Sequence, residues 1–201
     1  MPSNLSRRAF SALGLGLAAA SLMPGGAQAL NVDEARALID KLIGEINSVI
    51  NSGQSESAMF KSFEGIFARY ADEGYIAASA LGPAGKKASA AQKQAFASAF
   101  KRYIAVKYGK RFREFIGGKI EVRDARPLKN FFEVVSTAKL QGQSPFEVRW
   151  HVFDKSGKVR FFNLIIEGVN MLASERTEIG AMLDKQGGNI DKLIAALKAA
   201  G

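Results

Sequence analysis

The chain has 201 residues, with 28 Lys plus Arg, 19 Asp plus Glu, one His and no Cys. Apolar residues at 47% and charged residues at 23% are ordinary globular values and argue against disorder. Without Cys there is no disulfide framework, thiolate nucleophile or Cys-ligated metal, and the single imidazole, His151, excludes any site that needs two from one chain.

Ser6-Arg7-Arg8-Ala9-Phe10 precedes an uncharged Ala/Gly/Leu-rich run over residues 11–23, followed by Pro24-Gly25-Gly26 and Ala27-Gln28-Ala29. A charged start, a short apolar stretch and an A-x-A site read as a cleaved export signal over residues 1–29. A membrane anchor is the weaker reading, because the run is short, contains Gly14 and Gly16 and ends at Pro24. The paired arginines before Phe10 resemble a twin-arginine signal. Removing Arg7 and Arg8 leaves 26 basic against 19 acidic residues in the mature domain, residues 30–201. Export argues against nucleic acid as the partner of that charge and places the protein in the periplasm, where an anionic surface is the alternative to a plain solvated face.

In the mature chain, Val32, Ala35, Leu38, Ile39, Leu42, Ile43, Ile46, Val49 and Ile50 recur at three- and four-residue steps, with Asn31 as N-cap and Gly53 as terminator. This predicts a long amphipathic helix. A second helix follows Ser55 or Ser57 and carries Phe60, Phe63, Phe67 and Tyr70; Asp72-Glu73-Gly74 interrupts it before a short apolar turn at Tyr75-Ile76-Ala77-Ala78. Residues 81–85 hold the breakers of a loop. Ser89 and Gln92 form a capping-box pair for a helix bearing Phe96, Phe100, Tyr103, Ile104, Tyr108, Phe112 and Phe115, which Gly117-Gly118 stops.

The hydrophobic period then falls from about 3.6 to 2. Ile120 and Val122 begin the alternation, Phe132 to Leu140 continue it, Phe146, Val148, Trp150 and Val152 form a third strand, and residues 159–169 form a long apolar fourth. Four strands joined by short turns predict an antiparallel sheet. Two helices, residues 173–185 and 189–199, close the chain. The fold class is therefore α+β: a four-stranded antiparallel sheet covered by helices in a single domain.

The mature chain keeps 13 of the 14 Phe residues, many on predicted helices. Ordinary packing explains such stripes, and so does a helical cover that encloses an apolar ligand with the sheet. Periodicity alone does not separate a filled core from a hollow one.

Gly157-Lys158-Val159-Arg160-Phe161-Phe162-Asn163-Leu164 continues into Ile165-Ile166-Glu167-Gly168-Val169-Asn170, with Arg176 six residues on. The closing segment is Gly187-Gly188-Asn189-Ile190-Asp191-Lys192-Leu193-Ile194. Together with the aromatic-spaced helix of residues 96–115, these stretches resemble the MlaC (toluene-tolerance) family of periplasmic phospholipid-binding proteins. The resemblance runs over nearly all of residues 30–200, and Ile-Glu-Gly-Val is its most specific part. Val159 stands where the family has Trp, Asn163 where it has Asp, Asn170 where it has Ser, and Glu175 where a Tyr often precedes the Arg. A hopanoid-associated branch of the family is the alternative ligand class.

The resemblance implies an apolar lipid cavity and a soluble carrier of phospholipid between the outer and inner membranes, which maintains outer-membrane lipid asymmetry. Its partners would be the lipid-binding subunit of an inner-membrane ABC transporter and an outer-membrane lipoprotein–porin complex, and the carrier would act as a monomer without a cofactor or metal. The physics agrees: roughly thirty acyl CH₂ groups at about 0.8 kcal/mol each would cost on the order of 25 kcal/mol to carry bare through water. For tail contacts this reading selects Phe63, Phe67, Tyr70, Tyr75, Ile76, Phe100, Tyr103 and Ile104 from the helices. From the sheet it selects Val148, Trp150, Val152, Phe162, Leu164 and Ile166, on the premise that alternate positions share one side. Lys101, Arg102, Lys107, Lys110 and Arg111 are the candidate basic residues at the mouth, and Arg176 is expected to pair with Glu167 or Glu178.

The rival functions are an enzyme and a docking module that carries no lipid. An enzyme would have to work through His151, Glu167 or Asp124. With Trp150 facing the core, its neighbour His151 faces away, and no base–nucleophile constellation surrounds it. The reading is not an enzyme.

Overall fold

The computed structural model describes residues 30–109 and 114–201. The export-signal reading falls on residues outside these, as do Lys110, Arg111 and Phe112. Asn31 opens α1 (Val32–Ile50): its side chain accepts from the Glu34 N–H at 2.9 Å, and Glu34 accepts from the Asn31 N–H at 3.1 Å. That reciprocal pair satisfies two donors that a helix start leaves open. Ala35, Ile39, Leu42, Ile43, Ile46 and Ile50 then fall on one buried face.

Ser55 caps α2 (Glu56–Tyr70), which ends where Ala71 turns extended and bridges to Phe161. Asp72 caps α3 (Glu73–Leu81), and a single 3₁₀ stretch, Gly82–Lys86, occupies the Gly/Pro-rich loop. The Ser89–Gln92 box forms as its spacing predicts and opens α4 (Ala90–Gly109). Phe115, expected on that helix, lies instead in a 3₁₀ stretch that leads into the turn at Gly117, whose φ is +74°.

The sheet is a meander of five antiparallel strands in the order β1 (Lys119–Leu128), β2 (Phe131–Lys139), β3 (Phe146–Phe153), β4 (Arg160–Ile166), β5 (Val169–Asn170). The expected count of four is corrected here. The long apolar run of residues 159–169 is not one strand, because Glu167 and Gly168 both take positive φ, 49° and 81°, and fold it back on itself. Left-handed conformation at both central residues is the hairpin turn whose twist matches the strands, and Gly meets the second position without strain. Asn170 caps α5 (Met171–Lys185), two residues earlier than the sequence suggested, and Asn189 caps α6 (Ile190–Ala200).

A β-bulge sets the register that matters for the site. Between β3 and β4, Val152 pairs with Phe161 and His151 with Asn163, so Phe162 is the extra residue. Trp150 opposite Leu164, and Val148 opposite Ile166, then keep the inward alternation. The premise that Phe162, Leu164 and Ile166 share one side fails at its first member. Phe161 faces inward, while Phe162 meets Tyr75, Phe131, His151 and Phe153.

Burial separates into two cores. One joins α1 and α2 to the sheet through Ile39, Leu42, Ile66, Val134, Trp150 and Phe161. The other joins α3, α4, α5 and α6 through Leu81, Phe96, Phe100, Ile179, Leu193 and Leu197. No helix among the described residues is long and apolar enough to cross a membrane.

Candidate functional site

A cavity of about 290 Å³ lies where the two cores meet. That volume is near the lower end of ligand pockets, roughly 300–1,000 Å³. Its walls come from most of the chain: Leu42 and Ile46 of α1, Phe63, Ile66 and Phe67 of α2, Ile76 of α3, and Ala97, Phe100, Ile104 and Ala105 of α4. The sheet adds Ile120, Phe146, Val148, Trp150, Phe161, Leu164 and Ile166, and α5 closes one side with Met171, Leu172 and Glu175. The lining is dominated by hydrocarbon and aromatic rings, so the space favours an apolar guest over water.

The chosen helix residues Phe63, Phe67, Ile76, Phe100 and Ile104 line this space, as do Val148, Trp150, Leu164 and Ile166 of the sheet; Phe162 borders it too, although the bulge packs its ring against Tyr75, Phe131, His151 and Phe153. Four selections are placed elsewhere. Tyr70 is half-buried against the first core and borders the groove between α1 and α2, where its hydroxyl donates to Glu45 at 2.6 Å. Tyr75 is 39% exposed and packs edge-on to Phe153 and Phe162. Tyr103 sits in the second core with its hydroxyl on Glu178, where burial first and that carboxylate second push it up to about 12. Val152 is fully enclosed in the first core. A Tyr at a helical core position carries a hydroxyl that must find a partner, and that need steered Tyr70 and Tyr103 to carboxylates.

Sequence reasoning missed Ala97 and Ala105, which are small and drew no attention, and Phe161, which the bulge turns inward. A usable signal lay in α4. Phe96 and Ala99 are buried in the second core, Ala97, Ile104 and Ala105 line the cavity, and Phe100 does both. A helix that is apolar on two faces has two things to cover.

Polar groups interrupt the lining at a few points. Trp150 donates its indole N–H to Ser136 Oγ at 2.9 Å, and Ser136 passes a bond to the Val148 carbonyl at 3.1 Å, so the ring enters the apolar wall with its one donor satisfied. Glu175 is 3% exposed; its Oε1 accepts from Lys107 at 2.8 Å and from the Tyr108 hydroxyl, and its Oε2 has no partner. Burial, and then that bond to Glu175, raise the Tyr108 hydroxyl well above its usual range. Lys101, Glu114, Gln143 and Glu167 are exposed lining residues that form a rim, and Lys101 pairs with Glu73 at 3.0 Å.

Of the expected basic mouth, Lys101 alone among the described residues lines the cavity. Arg102 donates to the Gly201 carbonyl at 3.0 Å, and Lys107 is held between Glu175 and Glu178. Arg176 does not make the expected ion pair with Glu167 or Glu178 but lies against Gly82. Other cations, Lys41, Lys61 and Arg69, border a separate groove between α1 and α2. Among the described residues no group of three or more His, Asp or Glu side chains is placed to hold a metal ion.

His151 points away from Trp150, as alternation requires, yet it is 8% exposed and not open to solvent. Phe131 covers its ring at 4.6 Å, Glu133 Oε2 lies 3.4 Å from its Nε2, and the Asn163 amide lies 3.3 Å from its Nδ1.

Helices packed on an antiparallel meander, with a hydrocarbon-lined void between two cores, define a class: an α+β fold with an apolar cavity between its helices and its sheet. The family model described as MlaC protein matches residues 36–199, and the chain belongs to the MlaC family. The intermembrane phospholipid transport system binding protein MlaC of Haemophilus influenzae is 28% identical over 134 residues, which span 64% of this chain and 62% of that protein's length. In architecture the chain is similar to a phospholipid-binding protein from Ralstonia solanacearum, solved in complex with a phospholipid. That likeness has a TM-score of 0.72 at 16% identity and covers 83% of this chain and 96% of the other.

Proposed function

We propose that the protein is a periplasmic phospholipid carrier that holds acyl chains in the cavity between its two cores and exchanges them with membrane-bound partners. The observation that carries the reading is the cavity itself, an apolar space walled by both cores and left unfilled by side chains. Membership in the MlaC family supports it, as does the phospholipid named for the Haemophilus influenzae and Ralstonia solanacearum proteins. In this reading residues 1–29 are a cleaved export signal and residues 30–201 the working domain. The partners are the lipid-binding subunit of an inner-membrane ABC transporter and an outer-membrane lipoprotein–porin complex, and the task is upkeep of outer-membrane lipid asymmetry. Phe63, Phe67, Phe100, Ile104, Leu164 and Ile166 are the tail contacts.

The work such a carrier does is hydrophobic transfer. Acyl chains leave one bilayer without meeting water, because each exposed CH₂ would cost about 0.8 kcal/mol. The head group stays at the rim, where Lys101, Gln143 and Glu167 are already hydrated. Vesicle-to-vesicle transfer of a fluorescent phosphatidylethanolamine is expected to speed up at least tenfold with the mature chain present. Folded protein that leaves the spontaneous rate unchanged would refute the carrier reading.

A further inference from the structure

The buried polar group on the far side of the sheet is tied to the cavity through one residue, Asn163. Its Oδ1 accepts two backbone N–H bonds, from Leu164 at 2.9 Å and from Leu172 at 3.1 Å. Leu172 is in the first turn of α5, where backbone donors have no partner within the helix. Asn163 thus anchors the start of the helix that supplies Met171, Leu172 and Glu175 to the cavity wall.

Those two bonds also fix which way the amide points. With Oδ1 taken by N–H donors, Nδ2 is the atom turned toward His151 Nδ1, and it must donate. His151 Nδ1 is then the acceptor, and the ring proton sits on Nε2, donated to Glu133 Oε2. The chain Glu133–His151–Asn163–Leu172 is complete only while His151 is neutral. A proton on Nδ1 would set an N–H against the Asn163 NH₂, two donors facing each other with no acceptor between them.

We propose that Asn163 is the positioning residue for the α5 wall of the cavity, and that His151 makes its hold depend on proton concentration. At neutral pH the relay is closed and α5 is pinned. On acidification the ring gains a proton, the Asn163 amide must turn or withdraw, and the Leu172 N–H loses its acceptor.

The groups facing His151 set the window. Glu133 from β2 favours the added proton, but its carboxylate is already met by Arg126 from β1 and by Arg149 at 3.8 Å. Phe131 and Phe162 cover the ring on its open sides. Burial first, with Arg149 assisting and Glu133 opposing, holds His151 below its ordinary 6.5. A lowered value means the unfolded chain binds the proton more readily, so stability is full above about pH 6.5 and declines as pH falls through the folded-state value. The relay therefore opens on the acid side of neutral.

The lipid part of this proposal rests on the carrier reading; the α5 part does not. Hydrogen exchange at the Leu172 amide of the full mature chain, expressed as a protection factor to remove the intrinsic pH effect, is expected to fall at least tenfold between pH 7.5 and pH 5.0. Release of co-purified lipid should accelerate over the same interval. Asn163→Asp can still accept from Leu164 and Leu172 with one oxygen and from a protonated His151 with the other, so its Leu172 protection should stay flat. His151→Gln, neutral throughout, should stay flat as well. Unchanged wild-type protection while the His151 ring signals titrate would overturn the proposal. So would an equal fall in Asn163→Asp, or a wild-type fall with no change in release from a chain that carries lipid. If no lipid is retained at all, the carrier reading fails and the exchange data still decide the relay.

Discussion

Phe161→Ala is expected to cost about 3–5 kcal/mol of stability, the range for truncating a buried Phe, and to sit at its upper end. The ring is 1% exposed and makes edge-on contacts with Phe67 at 5.3 Å and Trp150 at 5.5 Å. It also borders a void that is already present, so its removal enlarges a cavity whose walls have no reason to collapse. For a chain of this size the loss reads as roughly 6–20 °C in the thermal midpoint, measured after delipidation so that bound ligand does not mask it. Phe162→Ala, at a half-buried residue in the bulge, should cost only about 1–2 kcal/mol. The order of the two decides the register: a larger loss at Phe162 than at Phe161 would mean that the bulge lies elsewhere and that the inward set on β4 is misassigned.

Ala105→Trp is expected to empty the cavity of ligand without unfolding the protein. Ala105 lines the space from α4 opposite the sheet, and an indole there occupies volume that hydrocarbon would otherwise fill. Overpacking a closed core usually costs about 1–3 kcal/mol, but a side chain that grows into an existing void meets fewer neighbours. Retained lipid should drop below about one tenth of the wild-type ratio, while the delipidated midpoint changes by a few degrees at most. Unaltered lipid content in a folded Ala105→Trp protein would place the ligand somewhere other than this cavity.

Much of the architecture was legible because it depends on short-range physics. The Asn31–Glu34 and Ser89–Gln92 boxes follow from capping chemistry at fixed spacing. The inward Val148, Trp150 and Val152 follow from the two-residue period of a strand. What escaped depends on long-range fit. The bulge at Phe162 adds one residue to one strand, and nothing in Arg160-Phe161-Phe162-Asn163 distinguishes a bulged pair from a regular one. The fifth strand was hidden in a long run of little polarity because Glu167, a residue that seldom takes positive φ, shares the turn with Gly168. Of the candidate site, the large side chains were readable as apolar stripes. Ala97 and Ala105 were not, since a residue that leaves space looks the same in sequence as one that merely packs closely. Tyr70 and Tyr103 were drawn away by Glu45 and Glu178, partners distant in sequence that periodicity does not reveal.

In the carrier reading, the gap between the two cores is filled by hydrocarbon in the working protein. Native mass spectrometry of the mature chain, purified from its own cell envelope without detergent, measures this directly. A dominant species heavier than the bare polypeptide by one lipid is expected, and its mass identifies the ligand after extraction. A spectrum containing only the bare polypeptide, from protein that is folded and monodisperse, would contradict it.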